Sequence, residues 1–317
     1  METKTLYPPL EDAPEPAGLK AIIQEWQRPD LPDVLKNRFH LSGKERFAEV
    51  SRLFQSNLDE IKSNRSRSRI VLALVDWLCD FVRMNVKRGR VFDLRQVLKE
   101  GRTDCVGYNK LLTLLGRLCG LDMGVVEVLI DNAGRYVPHT ATLLKLPDGR
   151  LRFIDLWYGS QNIKHRRLGL QVKHGNLWRI EDVDFKDSSG PEEVSYLPDA
   201  CVDAITLYIR ANRHLNQRGF ADAVKLYSRA LKLYPGNPRF YYNRAIAYEN
   251  LGEPEKASAD YARSLRDEAS LIRILATEHE ETTALIALDS KSIDGLAQEI
   301  YLLARGFVTG RKTSPAE

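Results

Sequence analysis

The first half of the chain carries apolar residues at the spacing of amphipathic helices. Between residues 43 and 61, and again between residues 68 and 86, apolar side chains recur every three or four positions. A shorter helix is predicted over residues 93–99. A fourth apolar run starts near Cys105 after a polar, glycine-led segment, and Gly120 ends it. We therefore predict a largely helical N-terminal half.

The pattern changes period after Gly120, where apolar and polar residues begin to alternate as they do in strands. Three segments share this alternation: residues 123–130, 136–145 and 151–155. Pro147-Asp148-Gly149 is a turn sequence between the last two, which predicts a hairpin. Further short strands are expected as far as Phe185, and the polar stretch 187–191 reads as a linker.

From residue 200 onwards the chain is again helical, and it repeats itself. Five pairs of identical residues are each 34 positions apart: Arg210 and Arg244, Ala211 and Ala245, Ala223 and Ala257, Tyr227 and Tyr261, and Leu231 and Leu265. A period of 34 residues built from paired helices is typical of tetratricopeptide repeats. We predict two repeats, residues 204–237 and 238–271. Because such stacks need more than two units, segments at 268–285 and 292–304 are expected to cap them.

These segments predict an α+β domain followed by an all-helical module. The predicted order along the chain is a flexible acidic, proline-rich tail at 1–18, an α+β domain at 19–190, a repeat module at 200–306, and a flexible tail at 307–317. At 317 residues the chain is long for a single hydrophobic core, which also favours two modules.

Composition and charge narrow the class of protein. The chain is 43% hydrophobic and 28% charged, with a net charge of +4. It shows neither a signal peptide nor an apolar run of roughly 20 residues that could span a membrane. Four cysteines without a CxxC pair argue against a structural zinc site, and reduced thiols suit the cytoplasm. Basic runs near residues 65–69, 87–90 and 164–167 are read as solvated faces, and nucleic-acid binding is the weaker alternative.

Cys105 lies at a position that favours a nucleophilic cysteine. Cys105 begins a helix, and a helix N-terminus favours the thiolate, which is the reactive form of the side chain. We therefore expect its pKa to be lowered. His139 lies in one strand of the predicted hairpin and Asp155 ends the other, so the hairpin would bring an imidazole and a carboxylate together. Asp148 is a competitor for the orienting role, but it lies in Pro-Asp-Gly, where a turn aspartate is the commoner explanation.

The order and local context of these residues resemble the transglutaminase-like superfamily, whose members share a papain-like core. The matching segments are Thr103-Asp104-Cys105, His139-Thr140-Ala141 and Phe153-Ile154-Asp155. The resemblance implies that Cys105 attacks an amide or acyl carbonyl, His139 transfers the proton and Asp155 aligns the histidine. It implies no cofactor and no metal. The chain departs from the pattern at Leu156, where many relatives have proline.

Three further residues are candidates for the substrate cleft: Asp104, Trp157 and Tyr158. The two aromatic residues are equally compatible with packing against the sheet. Trp77 lies in an apolar helix and is expected in the core, so no upstream side chain is assigned to an oxyanion hole. The alternative to an enzyme is a scaffold or adaptor protein that keeps the fold without turnover.

The repeat module predicts a protein or peptide partner. Some tetratricopeptide domains hold a C-terminal carboxylate with asparagines and basic residues on their concave face. On the alignment of the two repeats, Asn212 and Asn243 fall on asparagine positions of that clamp, and Arg273 falls on a basic one. Tyr208 and Thr277 stand where the other basic residues would be, so the predicted clamp is incomplete.

Overall fold

A computed structural model describes residues 16–130, 136–157, 168–172, 177–182, 192–197 and 199–264. The chain divides into two compact units, Met1–Asp203 and Ala204–Glu317. Several predicted features lie outside the described residues: most of the N-terminal tail, the linker at 187–191, Tyr158, Arg273, both capping segments and the C-terminal tail.

Helices fill the N-terminal part of the first unit. They are α1 (Pro16–Ile23), α2 (Asp33–Phe39), α3 (Phe47–Asn57), α4 (Asn64–Asn85), α5 (Leu94–Glu100) and α6 (Cys105–Leu118), with a 3-10 turn at Leu58–Glu60. The last four helices correspond to the four predicted apolar runs. Their starts are set by polar caps: the side chain of Ser63 accepts from the Ser66 N–H, and that of Asp93 accepts from the Gln96 N–H.

An aromatic cluster forms much of the core between these helices. Phe47, Trp77 and Phe81 stack with ring centroids 5.5–6.4 Å apart. Trp77 is 2% exposed, and its indole N–H donates to the Pro29 carbonyl at 2.8 Å. The expectation that Trp77 belongs to the core is therefore confirmed.

A six-stranded sheet follows the helices. Its strands are β3 (Asp122–Ile130), β4 (Tyr136–Lys145), β5 (Leu151–Ile154), β6 (Leu168–Val172), β7 (Leu177–Asp182) and β8 (Glu192–Leu197), after a short ribbon of β1 (Lys87–Arg88) and β2 (Arg102–Thr103). The spatial order is β5-β4-β3-β8-β7-β6, and every neighbouring pair is antiparallel. The predicted hairpin is present as β4 and β5. Strand β8, which the sequence did not predict, lies in the middle of the sheet.

The second unit contains paired helices. They are α7 (Asp199–Asn216, which begins in the first unit), α8 (Phe220–Leu233), α9 (Pro238–Asn250) and α10 (Pro254–Ser264). Three of the five residue pairs that recur at 34 positions are buried: Ala211 and Ala245 are fully buried, Ala223 and Ala257 are at most 2% exposed, and Tyr227 and Tyr261 are at most 4% exposed. The 34-residue period of the sequence therefore marks positions that are buried in the helical core.

The architecture confirms the coarse fold prediction: a mixed helix-and-sheet unit precedes a helical, tetratricopeptide-like one. None of the four cysteines, all of which lie within the described residues, forms a disulfide, and Cys79 and Cys119 are buried, as expected for inert thiols. Within the described ranges, no helix is long and apolar enough to cross a bilayer.

Candidate active site

The loop before α6 is fixed by its own hydrogen bonds. β1 and β2 run parallel, with Arg88 opposite Thr103. The Asp104 N–H donates to the Val91 carbonyl at 2.8 Å, and the Asp104 carboxylate accepts from the Gly107 N–H at 3.1 Å as the N-cap of α6. A Cβ at Gly107 would lie 1.8 Å from the Thr103 hydroxyl oxygen, so only glycine fits there. Asp104, predicted as a cleft residue, therefore caps the helix that begins at Cys105.

The hairpin brings His139 and Asp155 together. Thr142 pairs with Ile154 across β4 and β5, so the strand ends that carry the two side chains are adjacent. His139 Nε2 lies 2.6 Å from Asp155 Oδ2. A carboxylate oxygen only accepts, so the proton of this bond is on Nε2, and Nδ1 is the nitrogen that can accept one.

Both oxygens of Asp155 are committed. Oδ1 accepts the Trp157 N–H at 2.9 Å while Oδ2 bonds to His139, and the residue is only 2% exposed. Such a doubly bonded, buried carboxylate fixes the orientation of the imidazole it contacts. Asp148, the competitor, instead lies in the turn. Burial acts to raise the pKa of Asp148, but hydrogen bonds from Arg150 and Ser68 hold it below its ordinary value.

The sulfur of Cys105 lies against β4, one residue along from His139. Hydrogen bonding from the backbone and the side chain of Thr140 lowers the pKa of the Cys105 thiol, which places the thiol near the residue that follows His139. Cys105 itself is half-buried. The thiol is therefore held beside the strand that carries the histidine.

The expectation of a lowered pKa for Cys105 is wrong for the resting protein. Burial raises the pKa of the thiol, and the nearby carboxylates of Asp104 and Asp155 add to the increase. The hydrogen bonds from Thr140 act in the opposite direction but do not cancel it. The thiol is consequently protonated at neutral pH, and a base must remove its proton before or during attack.

Asn109 joins α6 to β4 and was not predicted as a site residue. Its side-chain N–H group donates to the carbonyl of Cys105 at 2.6 Å and to the carbonyl of Thr140 at 2.7 Å, and its oxygen accepts from the Thr142 hydroxyl at 2.9 Å. Asn109 is completely buried. This arrangement fixes the first turn of α6 relative to the strand of His139. The sequence did contain a signal for Asn109: it is a polar residue within an apolar helix, four positions after Cys105 and therefore on the same helix face.

A second unpredicted group surrounds Trp157. The guanidinium of Arg88 donates to the Trp157 carbonyl and lies 5.3 Å from the centre of the indole ring. The ring of Tyr108 lies 6.5 Å from that indole, and its hydroxyl donates to the Val86 carbonyl at 2.9 Å. Trp157 is half-buried, so it packs against the protein and still presents a surface to solvent.

The second unit has a cavity of about 550 Å³ between its helices. Asn212 and Asn243 line it, but each is already bonded: the Asn212 oxygen accepts from the Tyr227 hydroxyl at 2.6 Å and from the Asn243 amide at 3.1 Å. Asn243 also donates to the Tyr208 hydroxyl at 3.0 Å. The two predicted clamp residues thus meet in one polar network that lines the cavity.

Metal ligands are not grouped in this protein as far as it is described. No cluster of three or more His, Cys, Asp or Glu side chains in residues 16–264, apart from the undescribed gaps, is arranged to hold an ion.

Comparison with known proteins identifies one part of the chain. Residues 208–270 match the tetratricopeptide repeat family. No curated protein matches. Among solved structures, the chain is similar to a protein from Parabacteroides distasonis ATCC 8503 that carries the description "putative protease", with 9% identity and a TM-score of 0.22. That match covers 56% of this chain and 51% of the other, about half the length of each. Likeness at this level carries no functional argument. Tetratricopeptide repeats generally mediate protein–protein interactions, so the repeat match suggests an interaction module at residues 208–270.

Proposed function

We propose that the first unit is a cysteine enzyme with a transglutaminase-like, papain-like core, which acts on amide or acyl bonds. The observation that supports this most is the 2.6 Å contact between His139 Nε2 and Asp155 Oδ2. His139 precedes Thr140, the residue whose hydrogen bonding lowers the pKa of the Cys105 thiol. The proposal assigns the roles of nucleophile, base and orienting carboxylate to Cys105, His139 and Asp155 in that order.

The proposed reaction proceeds through a thioester. The sulfur of Cys105 attacks the carbonyl carbon, the thiol proton moves to Nδ1 of His139, and the π electrons move to the carbonyl oxygen. When the intermediate collapses, the C–N bond breaks and the histidine returns the proton to the leaving amine. Water or a second amine then attacks the thioester, gives its proton to His139, and the thiol is restored when the C–S bond breaks.

The raised pKa of Cys105 suits this sequence of steps. A protonated thiol avoids a buried thiolate at rest, and attack is coupled to transfer of the thiol proton to His139. The backbone N–H of Cys105, at the N-terminus of α6, would donate to the developing oxyanion, since the Gly107 N–H already donates to Asp104. Asp155 holds the imidazole so that Nδ1 is the accepting nitrogen.

The tetratricopeptide repeats of the second unit would bind the protein or peptide on which the enzyme acts. A scaffold without turnover is the second candidate function, and the raised pKa of the Cys105 thiol is the observation that favours it. The two functions differ in whether Cys105 can form an acyl intermediate.

An acyl-trapping experiment separates them. A peptide thioester probe is added at pH 7.5, and acylation of Cys105 is measured by mass spectrometry. We expect rapid modification of the wild type, none for Cys105→Ala, and a rate at least about 100-fold lower for His139→Ala. Cys201→Ala is the matched control: Cys201 is also half-buried, and burial raises its pKa to about 11. Acylation of Cys105 that is slow and insensitive to His139 would favour the scaffold.

A further inference from the structure

Arg88 lies between the two loops that carry the candidate nucleophile and the orienting carboxylate. In the β1–β2 ribbon it is opposite Thr103, two residues before Cys105. Its guanidinium donates to the carbonyl of Trp157, two residues after Asp155. The pairing of β1 with β2 fixes the backbone of Arg88 next to the segment that leads to Cys105. The side chain of Arg88 reaches the segment that follows Asp155.

The guanidinium is held in one orientation and yet remains accessible. It lies 5.3 Å from the centre of the Trp157 ring, a cation–π distance, while Arg88 as a whole is exposed. The Trp157 carbonyl uses one of the five N–H donors of the arginine, which leaves donors for a ligand.

The charge of Arg88 is not neutralised by an ion pair with any carboxylate in the described parts of the chain. The acids of the two segments that Arg88 joins, Asp104 and Asp155, are committed elsewhere. Asp155 bonds to His139 and to the Trp157 N–H, and Asp104 caps α6. The surface beside the candidate site therefore presents a positive charge, the Arg88 guanidinium, which is held in one orientation and is accessible next to the Trp157 ring.

We propose that Arg88 is a specificity-determining residue that selects acyl donors with a carboxylate close to the reacting carbonyl, as in acidic peptides. The proposal rests on the function proposed above and names its substrate class. Guanidinium and carboxylate groups bind through paired, charge-assisted hydrogen bonds, and a stacked arginine loses little freedom when it forms them. The indole of Trp157 would contact the apolar part of the same side chain.

The first test compares an anionic and a neutral reagent of nearly the same size. Iodoacetate and iodoacetamide both alkylate thiolates, so the ratio of their rates at Cys105 reports the local potential and not the intrinsic reactivity of the sulfur. We expect Arg88→Gln to lower this ratio by about three- to tenfold, the effect of one unit charge in a partly solvated site. Arg88→Lys should retain most of the ratio. Salt should reduce the wild-type ratio.

Lys145→Gln is the matched control. Lys145 is exposed on β4, six residues from His139 and therefore about 20 Å away, so its loss should leave the ratio unchanged. Cys105 is followed separately from the other thiols by peptide mass spectrometry. An unchanged ratio in Arg88→Gln, or an equal fall in Lys145→Gln, overturns the proposal.

The second test uses two dipeptide vinyl sulfones that differ only in having Glu or Gln next to the reactive group. The wild type should prefer the Glu probe by at least about threefold, and Arg88→Gln should lose that preference because its reaction with the Glu probe falls more than its reaction with the Gln probe. Equal reaction of wild type with both probes overturns the acidic substrate class alone. Failure of Cys105 to react with either probe in a His139-dependent manner overturns the enzyme itself, and this proposal with it.

Discussion

The candidate active site and the cavity of the repeat unit use polar side chains in opposite ways. In the first unit, Asn109 and Asp155 are buried, and each bonds groups from other elements. In the second unit, Asn212 and Asn243 are half-buried and bond to each other and to tyrosines at the edge of an open cavity. The first arrangement fixes geometry, whereas the second leaves a surface that a ligand can reach.

This difference matches what the two proposed functions require. Catalysis depends on holding reacting groups within a fraction of an ångström, which buried and fully bonded polar groups achieve. Peptide binding tolerates looser placement, because water and ligand atoms can replace one another at an open surface. Variants of equivalent residues in the two regions should therefore have unequal effects.

The largest effect is expected from the orienting carboxylate. Asp155→Asn keeps the size of the side chain and an oxygen for the Trp157 N–H, but its amide can donate to Nε2 and would then favour the wrong tautomer of His139. We expect the acylation rate of Cys105 to fall by about 10²- to 10⁴-fold, as loss of a triad carboxylate does elsewhere. The fold should persist by circular dichroism. A loss of less than about threefold would mean that the contact is structural.

Asn109→Ala tests whether the buried amide fixes α6 to β4. It removes bonds to Cys105 and Thr140 and leaves the Thr142 hydroxyl unpaired in the core. The expected loss of unfolding free energy is about 2–4 kcal/mol, measured by urea denaturation. Asn243→Ala is the comparison: it loses two hydrogen bonds, at a half-buried position where water can replace them, so about 0.5–1.5 kcal/mol is expected. Equal losses would contradict the contrast between the two regions.

The pairing of His139 with Asp155 could be predicted because it is local. A turn sequence at Pro147-Asp148-Gly149 sets the register of one hairpin, and the two residues follow from that register. The repeat helices could be predicted for a similar reason. Each repeat packs against its neighbour in the chain, so the 34-residue period directly reports the buried positions.

Contacts between distant segments could not be predicted. Asn109 meets Thr140 and Thr142 more than 30 positions later, and nothing in the local pattern indicates those partners. Strand β8 pairs with β3 through Val125 and Leu197, although its segment follows a polar, linker-like stretch. The pKa of Cys105 was predicted in the wrong direction because a helix N-terminus is visible in sequence, whereas burial by other elements is not.

The smallest effect is expected in the repeat cavity. Arg218 and Arg239 line it, its described lining includes no Asp or Glu, and the Arg239 guanidinium lies 5.6 Å from the centre of the Tyr208 ring. An anionic peptide should therefore bind there, and a fluorescent tetraglutamate peptide measured by anisotropy is a suitable probe. Arg239→Gln should weaken binding by about two- to fivefold, because a partly exposed charge contributes little in water. Arg229→Gln, which changes an exposed arginine on α8 that does not line the cavity, is the control.

Amidation of the peptide's C-terminus distinguishes two modes of recognition. If Asn212 and Asn243 act as a carboxylate clamp, amidation should weaken binding more than Arg239→Gln does. If the charge of the peptide's side chains dominates, amidation should weaken binding less.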